Sequence, residues 1–453
     1  MKLKLTMLAL IALAGCHESF LDLKRNKQQV VPETIADFEA ILDNATTMNG
    51  RSAHQFAIIG SDDYYLTDEA WNQISDPPRK NGYIWNTEIY EGEPSYDWNF
   101  GYKRILYANI VLEGLDKINP ENEEVARWET VKGGAHFYRG STFFYLAQLF
   151  ARQYNSETSE TDLGIPLRLE PDANLKIKRA SLESTYVQII EDLKIAVDLL
   201  PYSTKFKQQP GKQAAMAMLA RVYLQMGNYE QAKGWADETL AVSQELIDYN
   251  TLDFNAAYPF PNGGQTNVEI LFLDLTGTIV NEIDFNANET LYSSYQDNDL
   301  RKLAFWKESS TGTGYYRGSY TGKSSFFTGL AIDEVFLIRA ECNTRLGKLT
   351  EAIDDINTLL SSRFKRDAYV PLDNNLHKDE LLQVVLNERR KELVFRGLRW
   401  ADLKRLNQDP DLATGISRNL KGTEYKLEPN DVRWVWPIPN DAVEIGGLQQ
   451  NPR

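Results

Sequence analysis

The chain has 453 residues, 42% of them hydrophobic and 25% charged, a balance that suits a soluble globular body with core enough for one large domain or up to about three ordinary ones. Its formal charge of −15 leaves no basic face to displace the counterions of a phosphate backbone, so nucleic acid is excluded as a partner. The sequence contains no low-complexity tract that would argue for extended disorder.

Residues 1–15 read as an export signal, with Lys2 and Lys4 as its positive end and Leu5 to Leu13 as its apolar stretch. That stretch is too short to span a bilayer, which takes about 20 apolar residues, and no other segment is apolar enough. Leu13-Ala14-Gly15-Cys16 follows and resembles the lipobox of bacterial lipoproteins, where the signal is cut before a cysteine that is then acylated. The expected mature body starts at Cys16 with 47 basic and 64 acidic groups, a charge of −17, and is tethered to a membrane through lipid on that residue. Cys342 is the one cysteine left, so the mature body has no internal disulfide, and its apolar helical setting predicts a small buried hydrophobe rather than a reactive thiol.

Residues 48–101 are rich in Gly, Asn, Asp, Ser, Thr and aromatics, which predicts loops and short strands. Helices are expected over Tyr102 to Ile118 and Glu123 to Phe150. Another is expected where Tyr186, Ile189, Ile190, Leu193, Ala196, Val197 and Leu200 share one face ahead of Pro201. Ala214 to Leu240 predicts two helices broken at Gly227. The same scheme recurs 120 residues later, with Ala220, Gly227, Tyr229 and Ala232 corresponding to Ala340, Gly347, Leu349 and Ala352. Small residues around a glycine turn are similar to tetratricopeptide repeats, whose period is about 34 residues, so these copies are separated by a large insertion. Residues 250–328 again predict loops and short strands, with Val268 to Leu275 the best strand, and Asp379 to Leu406 predicts a closing helix. The fold class is therefore mainly α: one body built on a tetratricopeptide-like helical-hairpin scaffold with long loop and short-strand insertions.

Little in the sequence points to catalysis. Gly318-Ser319-Tyr320-Thr321-Gly322-Lys323-Ser324 has three residues between its glycines where a phosphate loop needs four, and it reads as a polar surface loop. His17, His54, His136 and His377 have neither HExxH nor any other ligand spacing, so no metal site or triad is expected. The charged run from Glu388 to Arg405 reads as ion pairs lacing a helix to its neighbours, with Glu388 and Glu392 on one face and Arg389 and Arg396 on another.

Aromatic placement is the informative feature, with seven tyrosines and three tryptophans between Tyr64 and Tyr107. Sugar rings stack their apolar C–H faces on flat side chains while Asp, Asn and Arg bond their hydroxyls. Tyr64, Tyr65, Trp71, Trp85 and Trp98, with Asp62 and Arg79, are therefore the candidate ligand contacts, although such rings also serve as core. Trp71 and Trp85, flanked by polar and turn residues, come first; Trp98, just ahead of a helix, suits the core equally. A second group, Trp306, Tyr315, Tyr316, Arg317 and Tyr320, lies in a glycine-rich loop that would either form an opposite wall or cap the fold, with Trp306 and Tyr316 as its candidate contacts.

Motifs along the whole chain, taken in order, resemble the SusD/RagB family of nutrient-uptake lipoproteins of Bacteroidetes. They are Cys16 followed by Phe20-Leu21-Asp22; Trp98, Tyr102, Ile105 and Asn109; Arg139 to Leu146 with Gly164-Ile165-Pro166-Leu167; the hairpin at Ala220 to Ala232; Asp299-Leu300-Arg301; Glu334 to Glu341; and Trp436-Pro437-Ile438-Pro439 with Gln450-Asn451-Pro452. The most specific is Glu388 to Arg405, close to the family's ERRxELxFEGxRxxDLxR, with Arg396 standing where the family usually has Glu. The resemblance implies a single SusD-like body over 16–453, with an N-terminal half over 16–249 that carries helical repeats and a C-terminal half over 250–453. It implies binding without catalysis or cofactor. The expected protein is lipid-anchored and surface-exposed at the outer membrane, holds an oligosaccharide in a shallow aromatic-lined site, and delivers it to a SusC-like TonB-dependent transporter. The family's ligand contacts lie outside these motifs, so none is carried over. Capture of peptides, as by RagB-like members, is the alternative, and a surface glycosidase is a further one.

Overall fold

The computed structural model describes residues 31–172, 174–276, 286–308 and 314–453. Cys16 and the Phe20-Leu21-Asp22 motif lie outside the described residues. Ten helices of eight residues or more carry the described fold: α1 (Ile35–Leu42), α2 (Tyr96–Leu115), α3 (Val125–Phe150), α4 (Leu182–Leu199), α5 (Lys212–Gln225), α6 (Tyr229–Val242), α7 (Ile332–Arg345), α8 (Leu349–Ser361), α9 (Lys378–Glu392) and α10 (Arg399–Leu406). From α2 to α7 each helix packs on the next, and α8 and α9 both pack on α7.

The two hairpins expected from the displaced repeat are α5–α6 and α7–α8. Each turns at a glycine in the left-handed region, Gly227 at φ 73° and Gly347 at φ 78°, where a Cβ would be strained. Ala220, Ala232, Ala340 and Ala352 are all buried, and their small side chains let the backbones approach. Because α6 packs directly on α7, the copies are neighbours in space and the chain between them is an excursion from a continuous stack.

Three expectations need correction. The helix foreseen over Asp379 to Leu406 is two helices, because Phe395 at φ 56° and Gly397 at φ 71° reverse the chain between α9 and α10. Arg396 therefore sits in a loop and shares no helix face with Arg389. The strand foreseen over Val268 to Leu275 is confined to Ile270–Phe272, which pairs antiparallel with Leu330–Ala331. Gly318 to Ser324, expected at the surface, is buried at Ser319, Tyr320 and Thr321. Polar residues are tolerated there because Tyr320 joins an internal ionic network, described below.

The insertions carry short strands. β1 (Tyr64–Tyr65), β2 (Asn286–Ala287), β3 (Trp306–Glu308) and β4 (Gly314–Tyr316) form one antiparallel sheet in the order β1-β2-β4-β3. The loop-rich regions 48–101 and 250–328 thus meet in a single sheet on the helical frame.

Lys404 of α10, 3% exposed, donates from Nζ to the carbonyls of Gln148 at 2.7 Å and Ala151 at 2.8 Å. These lie at the C-terminal end of α3, where carbonyls lack intrahelical partners. Burial pushes the Lys404 ammonium down to about 7 from 10.5. Between those values the unfolded chain binds the additional proton, so this residue makes stability rise with pH across that window, while below it the penalty is constant. Denaturant melts are expected to show wild type gaining stability relative to Lys404→Met from pH 7 to 10; parallel curves would refute the assignment.

Candidate functional site

Neighbouring residues of a strand face opposite sides of its sheet, so the register of β1 to β4 sorts their side chains. Tyr64, Ala287 and Trp306 are buried and Tyr316 is half-buried. Beneath them lies Phe395, with ring centroids 5.9 Å from Tyr64, 5.9 Å from Trp306 and 4.6 Å from Tyr316. Phe326 stacks on the same ring at 5.3 Å. A bulky residue in the left-handed region costs about 1–3 kcal/mol, and here the aromatic packing and a hydrogen bond from the Phe395 N–H to Asp63 Oδ2 at 3.2 Å offset it.

The other face is more exposed at Tyr315 and Lys307. Tyr65 pairs with Asn286, Asn286 with Tyr315 and Tyr315 with Lys307, which makes one row across all four strands. Tyr315 is 38% exposed, Lys307 is exposed, and Tyr65 and Asn286 are half-buried. With strands spaced about 4.8 Å apart, two phenol rings roughly 10 Å apart flank an amide, with an ammonium beyond. Flat apolar rings alternating with hydrogen-bonding groups can stack on a ligand's C–H faces and bond its hydroxyls.

The named residues divide sharply by position. Tyr64, Trp306 and Tyr316 point into the floor, and the outward neighbours are Tyr65 and Tyr315. Trp85 is 0% exposed, donates from Nε1 to the Gly60 carbonyl at 3.1 Å and lies under the Arg418 guanidinium at 4.5 Å; it is core, with no face for a ligand. Trp98 packs on Tyr102 at 4.7 Å and Phe150 at 5.0 Å, and its edge borders a groove of about 620 Å³ between α2, the loop around 166–177 and the turn near 442–448. Trp71 is half-buried, donates to the Lys80 carbonyl at 3.2 Å, and carries the Lys80 and Lys421 ammonium groups over its ring at 5.0 and 5.5 Å. Arg79 pairs with Asp76 at 3.4 Å.

Asp62 bridges Arg390 at 2.8 Å and Arg399 at 2.7 Å, which ties the β1 approach to α9 and α10. Burial opposes its ionisation, but Arg399 and Arg390 outweigh burial and hold the carboxyl well below the usual carboxylate range. Its oxygens are occupied by structure rather than offered to a ligand. Its neighbour Asp63 goes the other way, pushed up to about 6 by burial and the Asp62 charge against the pull of the same two arginines.

A buried carboxylate cluster that sequence reasoning missed lies deeper. Oxygens of Glu269, Asp333 and Glu392 lie within 4.8 Å of one another. Residues so far apart in the chain leave no motif, and only the fold collects them. Arg363 contacts Glu269 at 2.9 Å and Glu392 at 2.7 Å, Arg301 reaches Glu392 at 3.0 Å, and Arg396 reaches Asp333 at 2.7 Å. The Tyr320 hydroxyl lies 2.7 Å from Glu269 and 2.9 Å from Asp333, its single proton serving one at a time. Burial, ahead of the opposing pull of Arg363, pushes Glu269 up to about 7. Each of the three carboxylates is already paired with a guanidinium group. Arg396, the departure from the family pattern, thus has a place: it neutralises Asp333 and lies over the Tyr320 and Phe327 rings at 5.3 and 4.8 Å.

A helical-repeat stack that presents a small aromatic sheet from its insertions defines the architecture, and comparisons place it among known proteins. A SusD-like family described as starch-binding associating with outer membrane matches residues 19–224, and the SusD family matches residues 276–453. SusD-like protein P2 of Formosa agariphila is 24% identical over 377 residues, covering 70% of this chain and 72% of that one. A SusD superfamily protein from Bacteroides thetaiotaomicron superposes with a TM-score of 0.75 at 21% identity, covering 93% of this chain and 100% of that one. A SusD-like carbohydrate binding protein from Bacteroides vulgatus gives 0.68 at 18% identity, with 92% and 97% covered. The chain belongs to the SusD family.

Two substitutions separate structural from ligand roles. Trp85→Ala is expected to lower unfolding free energy by about 3–5 kcal/mol in guanidinium melts, as loss of a buried Trp does, whereas an unchanged midpoint would return Trp85 to the list of ligand contacts. Arg396→Ala leaves Asp333 buried without its cation and is expected to cost about 3–5 kcal/mol by the same measurement; a loss under 1 kcal/mol, about what an exposed pair gives, would show that the pair is solvated.

Proposed function

We propose that the protein captures an oligosaccharide on the outward row Tyr65, Asn286, Tyr315 and Lys307 and delivers it to a SusC-like TonB-dependent transporter. The signal over 1–15 is removed and lipid on Cys16 holds the body at the outer membrane surface. The row carries the reading: its rings lie open on a rigid floor and its polar groups alternate with them, which suits a chain of sugar units better than an enclosed small molecule. An open sheet face also releases what it binds, as delivery requires. Family membership supports the reading, as does the B. vulgatus neighbour described as carbohydrate binding. Among the described residues no helix is long and apolar enough to cross a membrane, which fits tethering by lipid.

The test is affinity electrophoresis of the body without residues 1–16 through gels containing a panel of polysaccharides, alongside an immobilised protein digest. One glycan is expected to retard wild type and to lose most of that retardation with Tyr315→Ala, while Lys103→Ala in the groove beside Trp98 migrates as wild type. The converse pattern would move the site to that groove. Retention by peptides alone would replace the glycan with a peptide, and release of reducing ends would make the protein a glycosidase.

A further inference from the structure

A cavity of about 20 Å³ lies where α3, α5 and α10 meet the short helix Gln55–Ile59, and every residue that lines it is buried. Three of those residues carry a buried donor with no acceptor among the described residues: Arg221 Nη1, Arg389 Nη1 and Trp400 Nε1. Each is fixed by its other contacts. Arg221 holds Glu334 through Nε at 2.7 Å and the Gly329 carbonyl through Nη2 at 2.8 Å. Arg389 holds Asp402 through Nε at 2.9 Å, and the Trp400 ring packs on Trp434 at 4.7 Å and Trp436 at 5.0 Å. None can turn aside, and a buried donor left unmatched costs about 1–3 kcal/mol.

The imbalance is one-sided. Among the described residues no buried side-chain oxygen lacking a partner lines the cavity. Its charged lining is Arg221, Arg389 and Asp402, and both Asp402 oxygens are engaged, by Arg389 at 2.9 Å and Arg405 at 2.8 Å. His54 also lines it. Burial first, and then the charges of Arg221 and Arg104, hold its imidazole well below the usual range.

We propose that this cavity is a buried anion site that takes a chloride ion, with Arg221 Nη1, Arg389 Nη1 and Trp400 Nε1 as its donors. A single chloride accepts from all three. A water accepts about two hydrogen bonds and would leave one of the three donors unmatched. The volume suits an occupant of roughly one or two waters, which excludes phosphate, sulfate and any organic carboxylate. The ion joins α5, α9 and α10, so its binding free energy adds to the stability of their packing.

The decisive measurement is anomalous diffraction from the mature protein purified and crystallised throughout in bromide instead of chloride. A bromide peak within hydrogen-bonding reach of the three donors is expected. Density there without anomalous signal, or none at all, overturns the proposal. In solution, at constant ionic strength balanced with gluconate, Tm is expected to stay flat at low chloride and then to rise with the logarithm of chloride concentration. Trp400→Phe deletes Nε1 while keeping an aromatic ring in the stack, and is expected to move the onset of that rise to tenfold higher chloride or more. A wild-type Tm indifferent to chloride, or an unchanged onset in Trp400→Phe, counts against the site. Should that variant not fold, the bromide result decides alone.

Discussion

Everything that positions the candidate site depends on arginines buried against carboxylates. Glu392, the last residue of α9, receives Arg363 and Arg301; Arg301 also holds Asp299 at 2.7 Å and Glu388 at 2.6 Å, while Arg363 crosses to Glu269. The 250–328 excursion is thereby locked to the C-terminal helices by directional bonds rather than by apolar burial alone. Compared with well-packed hydrophobic residues, such pairs add little net stability, but removing one partner strands a charge in a medium that cannot solvate it. Their geometry therefore favours one arrangement of long insertions that would otherwise have many.

The family's charged motif gains its physical meaning at its centre, where the helix stops. Phe395 and Gly397 take left-handed backbone, α10 turns away from α9, and the Phe395 ring is delivered under a sheet whose strands are only two or three residues long. Strands so short have little intrinsic stability. Their order comes from the aromatic floor below and from Asp62 and Asp63, which bond Arg390, Arg399 and the Phe395 N–H.

The scaffold was legible in the sequence because helical periodicity and glycine turns are local signals: both hairpins form, and Val125–Phe150 stands close to its expected bounds, while Tyr96–Leu115 begins before its expected start at Tyr102. The break at Phe395 was not, since nothing in Val394-Phe395-Arg396 signals positive φ and the charge pattern reads straight through it. The site was half legible. Aromatic density pointed to the two insertions that form the sheet, but density carries no parity. Between Tyr64 and Tyr65, or Tyr315 and Tyr316, only the register decides which ring turns outward, and the register is set by residues in other strands. Trp85 misled for a related reason, because polar neighbours in sequence say little about a ring that packs under Arg418. The Glu269, Asp333 and Glu392 cluster had no sequence signal at all.

The two faces of this sheet answer to different demands. Tyr64, Trp306 and Tyr316 are bound to Phe395 and through it to the whole ionic frame, so a change there is a change in folding. Tyr65, Asn286, Tyr315 and Lys307 lie on the opposite side of the same strands. On the proposed reading, a lineage adapting to a new nutrient can rewrite those outward positions one by one while the frame stays intact, and recognition can diversify without renegotiating the architecture that holds it.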